Sequence, residues 1–284
     1  MKPTLSLLAT LLMTTSFSLP AADLPSPPDV ARKPHTVKAP FGATREDEYY
    51  WLRDDTREDK EMLAYLDAEN AYANRVMAPL QPLRRKVYDE IISRIQQDDS
   101  SVPYRERGYW YQTRYETGQD YPIYVRRQGS QDAPEEILLN VNEMAAGKGY
   151  FSVGDMVVSQ DNMMMAWADD DVGRRQYTIR FKNLATGEVY ADTVAGVSPN
   201  LVWADDNKTL FYVENDPETL LTVRVKKHVL GTPASQDELV YEEHDDSFYM
   251  GVSRTRDDQY ICIGVSSTCF FTRTVSRVSG SFST

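Results

Sequence analysis

Cysteine, glycine and positive charge are all scarce in this chain. Only 2 Cys and 14 Gly occur among 284 residues, which excludes a many-bridged disulfide scaffold and a collagen-like or low-complexity chain. The two cysteines, Cys262 and Cys269, lie close together towards the C-terminal end, and the sequence leaves open whether they form a disulfide. Lys and Arg number 31 against 43 Asp and Glu, giving a net charge of −12. This charge has the wrong sign for a nucleic-acid partner.

Long hydrophobic runs are also missing. One short apolar run, at residues 5–12, follows Lys2 and falls below the ~20 residues that a membrane span needs. Together with the small residues Ala21 and Ala22 it predicts a secretory signal peptide over residues 1–22, cleaved near Ala21/Ala22. The alternative is an N-terminal strand or buried helix. We expect a periplasmic or secreted protein with no stable membrane association.

The residues after the signal predict an extended segment and then helices. Residues 23–53 form a predicted linker and entry segment, and residues 54–97 a predicted helical segment. The cap-forming pair Asp55-Thr56, followed by acids, is typical of a helix start. Pro79 ends this helix, and Pro82 suits the first turn of the next one.

The second predicted helix carries one apolar stripe. Its members recur at i, i+4 spacing and are Leu83, Val87, Ile91 and Ile95. A stripe of this kind needs a surface to cover it. The first helix alone offers a narrow one.

Beyond a polar break at Gln97–Ser101, which we interpret as a domain boundary, the helical period gives way to the alternation of strands. Residues 109–114 and 121–126 flank a turn at 116–120 and predict a hairpin. Further strands are predicted at 137–141, 155–159, 163–168, 177–181, 189–193, 201–204, 209–213, 222–229, 239–241, 248–252 and 260–265. Almost no helical period remains in this part of the chain.

The predicted strands repeat as a group. Turns between two apolar strands recur at Arg107-Gly108, Asp161-Asn162, Asp206-Asn207 and Asp257-Asp258, at intervals of 54, 45 and 51 residues. Such a period, built from about four strands, is typical of propeller blades. A β-sandwich also has short strands but gives no reason for this repeat. The predicted fold is mainly β, a partial β-propeller over residues 102–268 preceded by a short helical segment.

Motifs that carry chemistry are few. No G-x-S-x-G string is present, so the nucleophile elbow of an α/β-hydrolase is not encoded here. The three histidines, His35, His228 and His244, are scattered, and we expect surface or structural roles for all three. His244, in an acidic stretch, is the best candidate among them.

Four other clusters also have a structural interpretation. Gly147-Lys148-Gly149 lacks the hydroxyl and the helix of a phosphate loop. Asp169-Asp170-Asp171 lacks the spacing of a calcium loop and favours a charged turn. Arg174-Arg175 is expected to pair with these acids, the alternative being an acidic ligand in a propeller channel. Met163-Met164-Met165 is expected to fill the core.

Several longer strings together resemble one family. Residues 45–55, REDEYYWLRDD, resemble the entry motif of prolyl-oligopeptidase-type serine peptidases. Later strings narrow the resemblance to oligopeptidase B: YETG at 115–118, IYVR at 123–126, RRQY at 174–177, NLATG at 183–187, VWAD at 202–205 and GTPASQD at 231–237. The resemblance extends from about Arg32 to about Ser267.

The resemblance implies an enzyme in which a seven-bladed propeller covers an α/β-hydrolase domain and admits only short peptides, which are cleaved after Arg or Lys. This chain would supply the helical segment, which packs on the hydrolase domain, and about three blades. The catalytic triad and the specificity pocket belong to that later domain, so we predict no catalytic, cofactor or metal residues here. The substrate-binding residues stay unknown, and the chain alone is predicted to be inactive.

Two other interpretations stay open. The chain could be a freestanding exported propeller that binds a peptide or protein through loops such as 169–175, or one half of an enzyme whose second half is encoded separately. Residues 259–284 contain no Asp or Glu, and the family pattern stops after Thr268. We therefore expect residues 269–284 to be an aberrant tail, arising from a frameshift or a truncation.

Overall fold

The computed structural model describes residues 25–268 and 271–277. The predicted signal peptide and Cys269 lie outside these residues. Contacts divide the chain between Ile95 and Gln96 into two compact units.

The N-terminal unit consists of a small hairpin and two helices. Strands β1 (Thr36–Lys38) and β2 (Thr44–Glu46) pair antiparallel. They are followed by helices α1 (Lys60–Met77) and α2 (Gln81–Ser93), which are separated by a 3₁₀ turn that contains Pro79. Pro82 lies in the first turn of α2, as predicted.

Helix α1 begins later than its sequence predicts. The Asp54 carboxylate accepts hydrogen bonds from the backbone amides of Thr56, Glu58 and Asp59, which holds residues 55–59 in a loop. The N-cap is instead Asp59, whose side chain accepts from the amides of Glu61 and Met62 at 2.9 Å. The first orphan amides of the helix are satisfied in this way.

The C-terminal unit contains four successive antiparallel groups of strands, here called blades I to IV. Blade I comprises β3 (Tyr104–Glu106), β4 (Tyr109–Arg114), β5 (Ile123–Gln128) and β6 (Glu135–Asn140). Blade II comprises β7 (Ser152–Val158), β8 (Met164–Asp170), β9 (Tyr177–Asn183) and the first part of β10 (Val189–Trp203). Blade III comprises the last part of β10, β11 (Thr209–Asn215), β12 (Thr222–Val229) and β13 (Glu238–Glu242). Blade IV comprises β14 (Tyr249–Arg254), β15 (Tyr260–Ser266) and β16 (Phe271–Arg277).

Strand β10 belongs to two blades. Its first part pairs with β9 and its last part with β11, so that blades II and III form one seven-stranded sheet. The register shifts near Gly196, which has a φ of +73°. The two strands predicted at 189–193 and 201–204 are therefore one strand with an irregular centre, which the polar and glycine residues between them concealed.

Two other elements differ from the sequence prediction. A short helix, α3 (Val141–Ala145), follows β6 and is capped by the Asn140 side chain, which ends the strand. At the other end, β16 pairs with β15 along its whole length. The propeller fold therefore continues past the predicted boundary at 268.

Each repeated turn lies between two strands, as predicted, and these are the first and second strands of each blade. Asn162, Asn207 and Asp258 adopt the left-handed conformation there, with φ of 63°, 55° and 60°, which Asn and Asp tolerate better than most residues. In blade III the Asp206 carboxylate accepts from the backbone amides of Lys208 and Thr209 and from the Thr209 hydroxyl. Local side-chain hydrogen bonds thus specify the turn that the sequence repeats.

The apolar core lies between consecutive blades. Tyr111, Leu138 and Met165 pack between blades I and II. Larger clusters form between the following pairs of blades, around Phe181 and Trp203 and then around Val213, Met250 and Ile263. In the predicted methionine cluster, Met164 and Met165 are buried, as expected, whereas Met163 is exposed. Cys262 is buried in blade IV.

Candidate functional site

The first strands of the four blades surround a cavity of about 300 Å³, here called the axial cavity. Its lining residues are Tyr104, Glu106, Arg107, Tyr111, Asp155, Met156, Val157, Val158, Gln160, Leu201, Val202, Trp203, Val252, Ser253 and Arg254. No His belongs to this lining among the described residues. Its titratable side chains are carboxylates, phenols and guanidinium groups, those of Glu106, Asp155, Tyr104, Tyr111, Arg107 and Arg254.

Charged residues of the first and fourth blades meet beside the cavity. An Arg107 Nη donates to Asp258 Oδ1 at 3.0 Å, and the same oxygen accepts from Arg254 Nε at 2.9 Å. Arg254 also donates to the Trp203 carbonyl at 2.9 Å and to the Asp205 carboxylate. One carboxylate thus bridges two guanidinium groups, a geometry that favours strong hydrogen bonds.

Two aromatic rings and one half-buried carboxylate complete the wall. Tyr104 and Tyr111 stack with their ring centroids 5.4 Å apart, and burial raises the pKa of both phenols. Burial also raises the pKa of Asp155, although its carboxylate accepts from the amides of Leu201 and Met156 at 3.0 and 2.8 Å. Removal from water destabilises the ionised form more than these two bonds stabilise it.

Polar side chains join each blade to the next around the cavity. Asp155 of blade II accepts from Leu201 of blade III. Forty-five residues further on, at the equivalent position of blade III, Asn200 exchanges two hydrogen bonds with the backbone of Val252 in blade IV. Asn162 of blade II donates in the opposite direction, to the Arg107 carbonyl of blade I, at 3.1 Å. These contacts fix the positions of the cavity walls.

The three histidines lie apart from one another. His35 is exposed and stacks on Tyr50 at 3.9 Å, and His244 is exposed in the connection before blade IV. The expected surface or structural roles therefore fit both residues.

His228 differs because it is fully buried between blades II and III. Its Nδ1 lies 2.8 Å from Asp237 Oδ1, and the other oxygen of that carboxylate accepts from the Tyr212 hydroxyl at 2.8 Å. The Phe181 ring covers the imidazole, with the two centroids 5.4 Å apart. These contacts form a structural network, as expected for His228. The sequence did not indicate that this side chain is buried.

The predicted pairing of Arg174-Arg175 with the neighbouring acids is wrong. Asp169 instead pairs with Arg180 at 2.8 Å, and Asp171 pairs with Lys148 at 3.2 Å. Asp170 is already occupied by backbone amides, including that of Arg175. The acids and arginines of this turn are close in sequence, but the strand alternation of β8 directs the side chains to different partners.

The other phosphate- and metal-like motifs form no site. Gly147 has a φ of +75° in the turn after α3, and Lys148 lies 4.3 Å from the Phe151 ring centroid in addition to pairing with Asp171. Within residues 25–268 and 271–277, no group of three His, Cys, Asp or Glu side chains is arranged to hold a metal ion.

Sequence reasoning missed the charged cluster of Arg107, Arg254 and Asp258. Arg107 and Asp258 both lie in the repeated turns, so the signal was present: charged residues at the ends of the innermost strands. The sequence did not indicate which of these turns contact each other, because Arg107 and Asp258 are 151 residues apart.

A second candidate surface lies on the N-terminal unit. Leu83, Val87, Ile91 and Ile95 are 45–58% exposed. The first three, with Leu80 and Tyr88, line an open groove of about 570 Å³, which also includes Gln81, Arg84 and Arg85. Exposed apolar surface of this kind is typical of interaction sites. In the described part of the chain, no helix has the length and hydrophobicity that a membrane crossing requires.

The fold and the cavity define the class of protein: a partial β-propeller that carries a helical segment at its N-terminus. The family model described as "Prolyl oligopeptidase, N-terminal beta-propeller domain" matches residues 28–278. The chain therefore belongs to the prolyl oligopeptidase family of peptidases, as its N-terminal propeller. The match continues ten residues beyond Thr268, where the sequence predicted that the family pattern stops.

Relatives and solved structures agree with this assignment. The chain is similar to dipeptidyl aminopeptidase BI of Pseudoxanthomonas mexicana, with 62% identity over 94% of this chain and 39% of the relative. It is also similar to protease 2 of Moraxella lacunata, with 33% identity over 84% of this chain and 35% of the relative. Each relative is thus more than twice as long as the matched region.

Among solved structures, oligopeptidase B from Leishmania major matches with a TM-score of 0.84 and 33% identity, over 90% of this chain and 38% of that one. Oligopeptidase B from Trypanosoma brucei, with covalently bound antipain, matches with a TM-score of 0.81 and 28% identity, over 89% of this chain and 38% of that one. The predicted fold class, mainly β with a partial propeller after a short helical segment, is confirmed.

Proposed function

We propose that this chain is the propeller portion of an oligopeptidase B-like serine endopeptidase that cleaves short peptides after Arg or Lys. The observation that carries the proposal is the similarity to oligopeptidase B along 90% of the chain at a TM-score of 0.84. The family model that matches residues 28–278 is described as an N-terminal propeller domain, which supports a non-catalytic role for this part of the enzyme.

Within that enzyme, the propeller acts as a filter for substrate size. The axial cavity has a volume of about 300 Å³, which suits a short extended peptide and is far too small for a folded domain. Its wall is held by hydrogen bonds between the blades, such as that from the Leu201 amide to Asp155. A rigid wall can discriminate by size without contacting the scissile bond.

The exposed groove of helix α2 is where the hydrolase domain docks. Its apolar residues are 45–58% exposed on the chain as it stands, and burial stabilises by about 25 cal/mol per Å² of apolar surface. Replacing Ile91 by Glu places a charge in the groove and would weaken docking. Ala73→Glu, at an exposed position of α1, is the matched control.

The test is to assay the purified chain with an N-terminally blocked fluorogenic Arg-Arg peptide, alone and with the hydrolase domain added in trans. We expect no turnover from the chain alone. With the added domain we expect turnover that a serine-directed phosphonate blocks and that Ile91→Glu, unlike Ala73→Glu, diminishes. Phosphonate-sensitive turnover by the repurified chain alone would refute the proposal, and failure of the domain to bind would favour a freestanding peptide-binding propeller.

A second specificity is favoured by the relative of 62% identity, which is named a dipeptidyl aminopeptidase. That activity would release dipeptides from a free amino terminus. Assaying the reconstituted enzyme with the same Arg-Arg peptide in blocked and unblocked forms separates the two. Cleavage of the unblocked peptide only would assign the aminopeptidase activity and overturn the endopeptidase proposal.

We further propose that residues 1–22 direct export to the periplasm or the medium. The support is the short apolar run after Lys2 and the small residues before Asp23. Cell fractionation with N-terminal sequencing tests this: a mature chain that begins near Asp23 in the exported fraction is expected. An uncleaved cytoplasmic chain would contradict it.

A further inference from the structure

We propose that the Arg107–Asp258 ion pair sets the upper size limit for peptides that enter the axial cavity. This inference rests on the filter function proposed above and names the residues that determine its limit. It starts from an unusual connection: the pair joins the turn of blade I to the turn of blade IV, whereas the other polar contacts described around the cavity join consecutive blades.

The position of the pair places it at one end of the cavity. Arg107 follows β3 and Asp258 lies in the turn after β14, and both strands contribute lining residues. Asp161 and Asn207, from the equivalent turns of blades II and III, are joined by a hydrogen bond of 3.2 Å at the same end. The four turns therefore form one rim, and the Arg107–Asp258 pair spans it.

The two partners are held unequally. On the acidic side, Asp258 is fixed by Arg254, which donates to its carboxylate at 2.9 Å and to its backbone carbonyl at 2.6 Å. Arg254 is itself anchored on the Trp203 carbonyl. The acidic half of the pair is thus part of the rigid wall.

The Arg107 side chain is the half that can move. Its backbone is fixed, because the carbonyl accepts from Asn162. Among the residues that the structure describes, its guanidinium pairs with two acids, Glu106 and Asp258. Its Nε is buried and has no hydrogen-bond partner within residues 25–268 and 271–277, which disfavours the closed position. Rotation of one side chain would widen the rim while the blades stay in place.

The strength of the pair suits a limit that substrates can pass. Arg107 and Asp258 are 20% and 45% exposed, and ion pairs at such partly exposed sites bias an equilibrium by only about fivefold. Entry of a slender peptide would then need only a brief opening. A bulkier chain would need the pair to stay broken.

The test measures access to the cavity without any peptidase activity. Ser253 lines the cavity and is exposed, so Ser253→Cys provides a thiol to label. The parent protein for all variants carries Cys269→Ser. The same parent without Ser253→Cys measures the labelling of the buried Cys262. A small methanethiosulfonate and a bulky polyethylene-glycol maleimide are compared with the pair intact and with Asp258→Asn. Asn keeps the left-handed turn conformation of this position.

We expect Asp258→Asn to raise the labelling rate of the bulky reagent by about fivefold and that of the small reagent by less than about twofold. Raising the ionic strength should speed bulky labelling of the parent but not of the variant, because salt screens an exposed pair. Asp246→Asn, which removes an exposed charge before β14, is the matched control. Arg107→Gln should reproduce the effect if Asp258→Asn fails to fold.

Equal bulky labelling with and without the pair overturns the inference. So does an equal rise for both reagents, which would indicate general loosening of the blades. Because this assay needs no hydrolase domain, its result is independent of whether the reconstituted enzyme cleaves peptides.

Discussion

The Arg126 guanidinium donates to the Asn162 carbonyl at 3.1 Å, joining the third strand of blade I to the first turn of blade II. The same side chain forms a bidentate pair with Glu136, at 2.7 and 2.9 Å, and lies 4.1 Å above the Tyr109 ring. Arg126 is only 3% exposed. A buried charge with three kinds of partner holds the two blades in register.

Replacing Arg126 by Met should lower the free energy of unfolding by about 2–4 kcal/mol, because it removes the inter-blade bond and leaves Glu136 without its partner. Urea denaturation followed by tryptophan fluorescence measures the change. The control is Arg85→Met in α2, whose exposed pair with Asp89 should contribute less than about 0.5 kcal/mol. Equal effects of the two changes would contradict the role assigned to Arg126.

Replacing Asp155 by Asn should stabilise the protein at neutral pH by about 0.5–2 kcal/mol. Burial raises the pKa of Asp155 above its ordinary value of 3.8, so its ionised form opposes folding at neutral pH. An Asn oxygen can still accept from the Leu201 amide, just as Asn200, at the equivalent position of blade III, accepts from the Val252 amide.

The pH dependence of this effect has a definite sign. A raised pKa in the folded protein favours folding below the unfolded pKa, and this contribution is lost as the pH rises through the folded value. The advantage of Asp155→Asn should therefore be largest at pH 7–8 and vanish below about pH 4. Unfolding at several pH values checks it, with Asp132→Asn at an exposed loop as the control expected to show no such trend.

Tyr212→Phe should lower the free energy of unfolding by about 1–2 kcal/mol by leaving one oxygen of the Asp237 carboxylate without its donor. Burial and the hydrogen bond to Asp237 raise the pKa of Tyr212 well above its ordinary value, so the phenol stays protonated and donating across the neutral range. A double-mutant cycle with His228→Ala should show coupling, since both side chains bond the same carboxylate. Additive effects would argue against one network.

Gly154→Ala should destabilise blade II by about 1–3 kcal/mol through overpacking. A Cβ at this position would lie 2.4 Å from Pro199 Cβ and 2.6 Å from Tyr177 Cε1. Gly149→Ala is the matched control, because no atom lies within 4 Å of its added Cβ. Thermal unfolding of the two variants measures the difference.

Patterns among residues close in sequence predicted much of this fold. The turn residues Asp206-Asn207 and Asp257-Asp258 carry their own side-chain hydrogen bonds, so their positions follow from nearby residues alone. Pro82 and the apolar spacing of α2 were equally local. The start of α1 was predicted too early because Asp54 binds the amides that a helix cap at Asp55-Thr56 would bind. Strand β10 was predicted as two strands because its central residues show no strand pattern.

The candidate site was predicted much less well than the fold. The charged cluster of Arg107, Arg254 and Asp258 depends on contacts between residues that are 49 to 151 positions apart in the chain. A single sequence does not specify such pairings. The burial of His228 was missed for the same reason. Its partner Asp237 is only nine residues away, but the ring that covers the His228 imidazole is Phe181 of the preceding blade.

The continuity of β10 limits how this protein can be divided. Blades II and III share that strand, so a cut or insertion between residues 195 and 201 would sever backbone hydrogen bonds of both at once. The exposed connections at 146–150 and 244–247 carry no such ladder. Split fragments and circular permutants are tolerated where few backbone hydrogen bonds are broken. Engineered termini therefore belong in these two connections, and the middle pair of blades has to be moved as one unit.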